Sequence, residues 1–200
     1  MIELLAALSA SAAGGMRIAL PLLLIGILHS DRLWEQVPLL SWFPPPVVLG
    51  ILVSWSLFEL FASKKLLGQR IMQMVQLVGS PIVGAIMGMA IASAGFAELD
   101  EAPPWLVGVI GLVGGLLALV LQLVQVGWFY RLGRLPLWAI LAQDLLCVSL
   151  VLFAFDAPAE GGIIALLLLW LAIRNSKEWY SWYLEQGDRH NPRQNKSEPD

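Results

Sequence analysis

The chain has 200 residues, 58 % apolar and only 14 % charged, with a net charge of −3, a pI near 5.4 and a mean hydropathy of +0.74. Soluble domains carry about a quarter charged residues and under half apolar ones, so this composition excludes a large aqueous domain and points to a lipid bilayer. The acidic balance offers no basic face for nucleic acid. One cysteine, Cys147, excludes an intramolecular disulfide, and two histidines, His29 and His190, are too few for a His-rich metal site.

The length accommodates roughly six spans of about 20 residues with short connections. Met1 to Leu4 lacks the positive region of a secretory signal, so the N-terminal segment reads as retained. The first span is Leu4 to Leu28, interrupted by Gly14-Gly15, carrying Arg17 and holding Pro21 as a kink site. Further spans run from Val47 to Ala62, Val75 to Ala94, Trp105 to Tyr130, Leu137 to Phe155 and Ile163 to Ile173. Breaker-rich connections separate them: Pro44-Pro45-Pro46, Pro103-Pro104, Leu135-Pro136 and Ala157-Pro158. Residues 176–186 read as an amphipathic segment on the membrane surface, and 187–200 as a disordered cytoplasmic tail, behind a transmembrane domain of residues 1–175.

Lysine and arginine collect on the cytoplasmic side of membrane proteins. Lys64, Lys65, Arg70, Arg131, Arg134, Arg174, Lys177, Arg189, Arg193 and Lys196 all fall on one side of the six-span arrangement, with Arg32 on the other. The expected fold is therefore an all-α membrane bundle of about six helices with both termini cytoplasmic. Trp34, Trp42 and Trp105 fall at outer ends, and Trp128, Trp138, Trp179 and Trp182 at inner ends, where amphipathic rings suit the headgroup layer.

Three ionisable residues lie inside spans. Arg17 is eleven residues before Leu28 and Asp144 eleven before Phe155, which at a rise of about 1.5 Å per residue puts both roughly 16 Å below the outer boundary. Glu59, thirteen residues after Pro46, falls roughly 19 to 20 Å deep. An unpaired charge there costs about 2.5 to 3.5 kcal/mol, which favours one cluster with Arg17 paired to Asp144. One cation and two carboxylates leave an excess negative charge that a proton or a bound cation would balance. A register-fixing salt bridge explains the same residues without transport.

The third span carries Gln69, Gln73, Gln76, Ser80, Gly84 and Gly88 at intervals of three or four, and the fourth carries Gly111, Gly115, Ala118, Gln122 and Gln125 in the opposite direction. Glycines are expected to meet in the outer half and amides in the inner half, either as helix packing with hydrogen-bonded glue or as a vestibule open to the cytoplasm. No HExxH, GxSxG, Walker-type loop or CxxC occurs, and Asp144 with Ser149 has no histidine base, so no enzyme activity, metal or cofactor is expected.

Ala12 to Leu24, with Gly15-Met16-Arg17 followed by Pro21-Leu22-Leu23, resembles the start of the bacterial membrane family catalogued as domain of unknown function 4126 (DUF4126). Glu59 to Lys64 is similar to its second-helix pattern, a glutamate followed by Ala-Asp-Lys, with Ser63 where aspartate is usual. Leu135-Pro136 and Gln143-Asp144 resemble its later Asn-Pro and Glu-Asp elements, with Gln143 in place of the glutamate. The resemblance covers about residues 4 to 175 and implies a polytopic protein of a bacterial inner membrane or another energy-transducing membrane, with no assigned reaction. The residues point to a small-solute or ion transporter or channel-like protein, with a small solute, a proton or a cation as ligand. The alternative is a non-catalytic assembly subunit that meets a membrane-protein partner, or a second copy of itself, through its Gly-lined faces.

Overall fold

A computed structural model describes residues 2–28, 44–62, 66–97, 104–132 and 137–190. Among them the chain is all-α, with seven helices: α1 Ile2–Met16, α2 Ala19–Leu28, α3 Pro45–Ala62, α4 Leu66–Ala97, α5 Pro104–Leu132, α6 Leu137–Asp156 and α7 Pro158–His190. Prolines open α3, α5 and α7, where a fixed φ and a missing N–H cost a helix nothing. Four helices are long and apolar enough to cross a membrane, over Gln73–Gly95, Trp105–Trp128, Trp138–Asp156 and Pro158–Ser176. Two further apolar stretches, Ile2–Met16 and Pro46–Phe58, are shorter, the second being the part of the 18-residue α3 whose side chains are described. The described residues thus carry four long candidate spans of a multi-pass membrane protein, and the first of the six expected spans is not one helix.

The difference is clearest in the first span. It breaks after Met16 into α1 and α2. The break falls at Arg17, four residues before Pro21, whose ring excludes the carbonyl of residue i−4 and offers it no N–H. The Gly14-Gly15 pair does not make the break. Both glycines sit inside α1, where a Cβ on Gly15 would lie 2.7 Å from the Ala118 Cα and one on Gly14 would lie 3.1 Å from the Gly84 backbone nitrogen. Their role is close packing.

α1 is the axis of the molecule. Ala6, Ala7 and every residue from Ser9 to Met16 are buried, and the helix packs against α4, α5, α6 and α7 at once. Its alanines, serines and glycines let four neighbours approach. Contacts fix its direction: Glu3 lies against Gly95 and Leu5 against Gly162, while Gly14 meets Gly84 and Ile18 meets Gly79. α1 therefore runs antiparallel to α4, starting at the end of the bundle where α6 turns through Ala157 into α7. Arg174 and Ser176 lie at the other end of α7, with Trp128 and Trp138. The first turns of α1 and the Arg174–Ser176 stretch of α7 thus lie at opposite ends of the bundle.

α7 continues as one helix through residues 176–190, including four residues assigned to the tail, while 191–200 lie outside the described residues. α2 packs on α3 and α6 at the side of the bundle.

Candidate functional site

The helix break creates the site. Where α1 stops, its last carbonyl loses an intrahelical partner, and a buried backbone acceptor must find another. Gln143 of α6 supplies it: its Nε2 donates to the Met16 carbonyl at 2.7 Å and to Gln125 Oε1 of α5 at 3.3 Å. One residue further along each segment, Arg17 Nε donates to Asp144 Oδ1 at 2.7 Å. The Arg17 side chain is 8 % exposed and that of Asp144 is 22 % exposed, so the pair is buried more deeply on its cationic side. Successive residues of α6 thus hold successive residues of the break, one by its backbone and one by its charge.

Above the break, α1 is stitched to its neighbours by side chains that bond backbone carbonyls. The Cys147 thiol donates to the Ala13 carbonyl at 3.5 Å, Ser9 Oγ to the Leu150 carbonyl at 2.7 Å and Ser11 Oγ to the Gly84 carbonyl at 2.9 Å. Ser11 also occupies the space between Gly88 and Gly114, where a Cβ would approach its oxygen to 2.7 and 2.2 Å. These serines carried no signal in the sequence beyond the small-residue composition of Ala6 to Gly15, which is itself the mark of a helix packed on every side.

The two polar and glycine stripes meet as their spacing predicts. Gly84 lies against Ala118 and the Gly114 carbonyl, Gly88 and Gly111 are neighbours, and Gly115 packs on the Pro81 carbonyl. In the other half, Gln122 Nε2 donates to Gln76 Oε1 at 3.5 Å, both residues being buried. This amide pair joins α4 to α5. Gln125 turns instead to Gln143, and Gln73 is half-buried with no bond to the other amides among the described residues. The side chains of Gln69 and of Glu59, the third member of the expected charge cluster, lie outside the described residues. Ser80 Oγ is buried and has no hydrogen-bond partner among the described residues.

The open space lies elsewhere. A cavity of about 560 Å³ sits between α5, α6 and α7 at the end carrying Trp128, Trp138 and Arg174, and reaches inward past Gln125 and Gln143 to Met16. Trp128 and Trp138, expected only as interface anchors, line its mouth. Trp34 and Trp42 lie outside the described residues, as do the side chains of Trp179 and Trp182. Among the described residues no group of three or more histidine, cysteine, aspartate or glutamate side chains is placed to hold a metal ion. What the arrangement offers is a broken helix end, an ion pair at the break and a cavity lined by Met16 and Gln143.

The profile of the family described as "Domain of unknown function (DUF4126)" matches residues 4–178. No curated protein and no solved structure matches the chain.

Proposed function

The chain belongs to the DUF4126 family, a domain of unknown function, and from its own geometry we propose that it is a small-solute or ion transporter or channel-like protein whose centre is the Arg17–Asp144 pair. The observation that carries this reading is the coincidence of three features at one level: a helix end in the middle of the bundle, a buried ion pair on that end, and a cavity reaching Met16 and Gln143 from the bundle surface. Broken helices and intramembrane charges with an aqueous or ligand-filled approach are where membrane transporters hold solutes. Asp144, the more exposed partner, exchanges Arg17 for an incoming proton, cation or cationic group. Arg17 holds the carboxylate in place between cycles, and Gln143 keeps the freed Met16 carbonyl occupied. Glu59 is assigned a supporting role in the same cluster.

The alternative, an assembly subunit docking through Gly-lined faces, draws less support. Gly84, Gly88, Gly111 and Gly115 are already occupied within the chain by α1 and by each other. No enzyme role is proposed.

The test is flux in liposomes reconstituted with the purified protein, across a panel of ions and small solutes. The parent is expected to carry at least one of them in a proton- or cation-dependent manner, and Asp144→Asn to lower that rate at least tenfold while leaving the fold intact. Absence of flux across the whole panel, from protein whose Cys147 remains shielded from thiol reagents, refutes the reading.

A further inference from the structure

The cavity between α5, α6 and α7 has a chemistry of its own. Its inner wall is apolar, with Leu121, Leu146 and Leu168 beside Met16, and its mouth carries Trp138, Asn175 and Arg174. Leu121 is seven residues from Trp128, and Leu146 is eight from Trp138, so the cavity reaches about 10 to 12 Å inward along helices that rise about 1.5 Å per residue. One leaflet of hydrocarbon is about 15 Å thick. The depth therefore suits most of one acyl chain, and about 560 Å³ falls within the range of ligand-holding pockets.

An apolar lining selects nothing inside a bilayer, where every lipid tail already has an apolar solvent. Selection must come from the head of the ligand, and the charged group in the lining, Arg174, is a cationic donor. Arg174 lines the mouth, and its guanidinium lies over the ring of Trp170 on the adjacent turn of α7, 5.4 Å from the centroid. It has no carboxylate partner among the described residues. The Gln125 amide N–H groups likewise have no acceptor among them, because Gln125 engages Gln143 through its Oε1. The backbone positions of Arg70, Arg131 and Lys177 fall on helical turns at the same end. A cytoplasmic leaflet is the one that carries anionic headgroups, and basic residues at its surface attract them.

We propose that this cavity binds an anionic phospholipid of the bilayer, which inserts one acyl chain between α5, α6 and α7 and sets its phosphate against Arg174. The proposal goes beyond the transport reading and does not rest on it. The ester carbonyls of such a lipid face the Gln125 donors, and its tail ends against Met16, next to the helix break.

The experiment is tryptophan quenching in phosphatidylcholine vesicles that contain a small fraction of either phosphatidylglycerol or phosphatidylcholine brominated along one acyl chain. Subtracting the Trp138→Phe variant isolates the signal from the cavity. Brominated phosphatidylglycerol should half-quench that signal at about one fifth of the mole fraction needed for brominated phosphatidylcholine, the factor matching about 1 kcal/mol for one basic residue at the surface. Arg174→Gln should abolish the preference, and Ala142→Phe, which fills the cavity, should weaken quenching by both lipids. Equal quenching by the two lipids, unchanged in Arg174→Gln, overturns the proposal, as does displacement of the brominated phosphatidylglycerol by free fatty acid, which would make the occupant a single-chain amphiphile. Headgroup-selective quenching without flux of any solute supports this site and removes the transport reading; flux without selective quenching does the reverse.

Discussion

Removing both charges of the Arg17–Asp144 pair should cost the protein less than the two single removals together. At 2.7 Å between Arg17 Nε and Asp144 Oδ1, the Coulomb attraction at an effective dielectric of about 20 is about 6 kcal/mol. Most of that offsets the cost of desolvating the two groups, so the pair itself contributes little net stability. The singles are different because each removes one partner and keeps the other's charge. Asp144→Leu takes this carboxylate from Arg17, which is 8 % exposed, and should destabilise by about 3 kcal/mol. Arg17→Met strands Asp144, which at 22 % exposure has better access to a polar environment, and should cost about 2 kcal/mol. The double variant should lose about 2 kcal/mol, giving a coupling energy of about 3 kcal/mol. Cys147 is the only cysteine and is fully buried, so its reaction with a maleimide along an SDS titration in mixed micelles reports unfolding at one site. Additive effects, with a coupling below about 0.5 kcal/mol, would show that the two groups do not act as a pair in the folded protein.

Two further outcomes follow from packing and from hydrogen bonding. Gly114→Ala places a methyl 2.2 Å from Ser11 Oγ and 3.0 Å from the Gly84 carbonyl oxygen, so the same unfolding assay should register a loss of about 1 to 3 kcal/mol. Gly108→Ala, with nothing within 4 Å, should be neutral or gain up to about 1 kcal/mol through helix propensity. A loss at Gly108 as large as that at Gly114 would remove the close-packing argument. Ser80 and Ser11 should respond in opposite directions to alanine. Ser80→Ala deletes an unpaired buried hydroxyl and should raise stability by about 1 kcal/mol, whereas Ser11→Ala loses the bond to the Gly84 carbonyl and should lower it by about 1 kcal/mol. Equal losses at the two serines would contradict the assignment of Ser80 as the unsatisfied one.

Much of the chemistry was legible without coordinates because the bilayer penalises exceptions. Apolar runs of span length, prolines at helix starts and an arginine and aspartate at the same depth each have a single cheap explanation in hydrocarbon, and Arg17 duly meets Asp144. The glycine and amide stripes were readable for the same reason: a period of three to four residues on two antiparallel helices leaves one facing arrangement, and Gln76 meets Gln122 with glycines beyond them. The family was recognisable in the Gly15-Met16-Arg17 and Pro21 segment, and its profile covers residues 4–178.

Tertiary structure decided the rest, because periodicity describes one helix at a time and is blind to which neighbours share a face. Composition marked Ala6 to Gly15 as small but could not say that four helices surround it, nor that its first turns lie beside the start of α7. Pro21 announced a break, yet where the orphaned Met16 carbonyl finds its donor depended on Gln143 arriving from 127 residues away. The cavity shows the same limit: Trp128, Trp138 and Arg174 each look like ordinary interface residues along the chain, and only the gap between α5, α6 and α7 makes them the lining of one cavity.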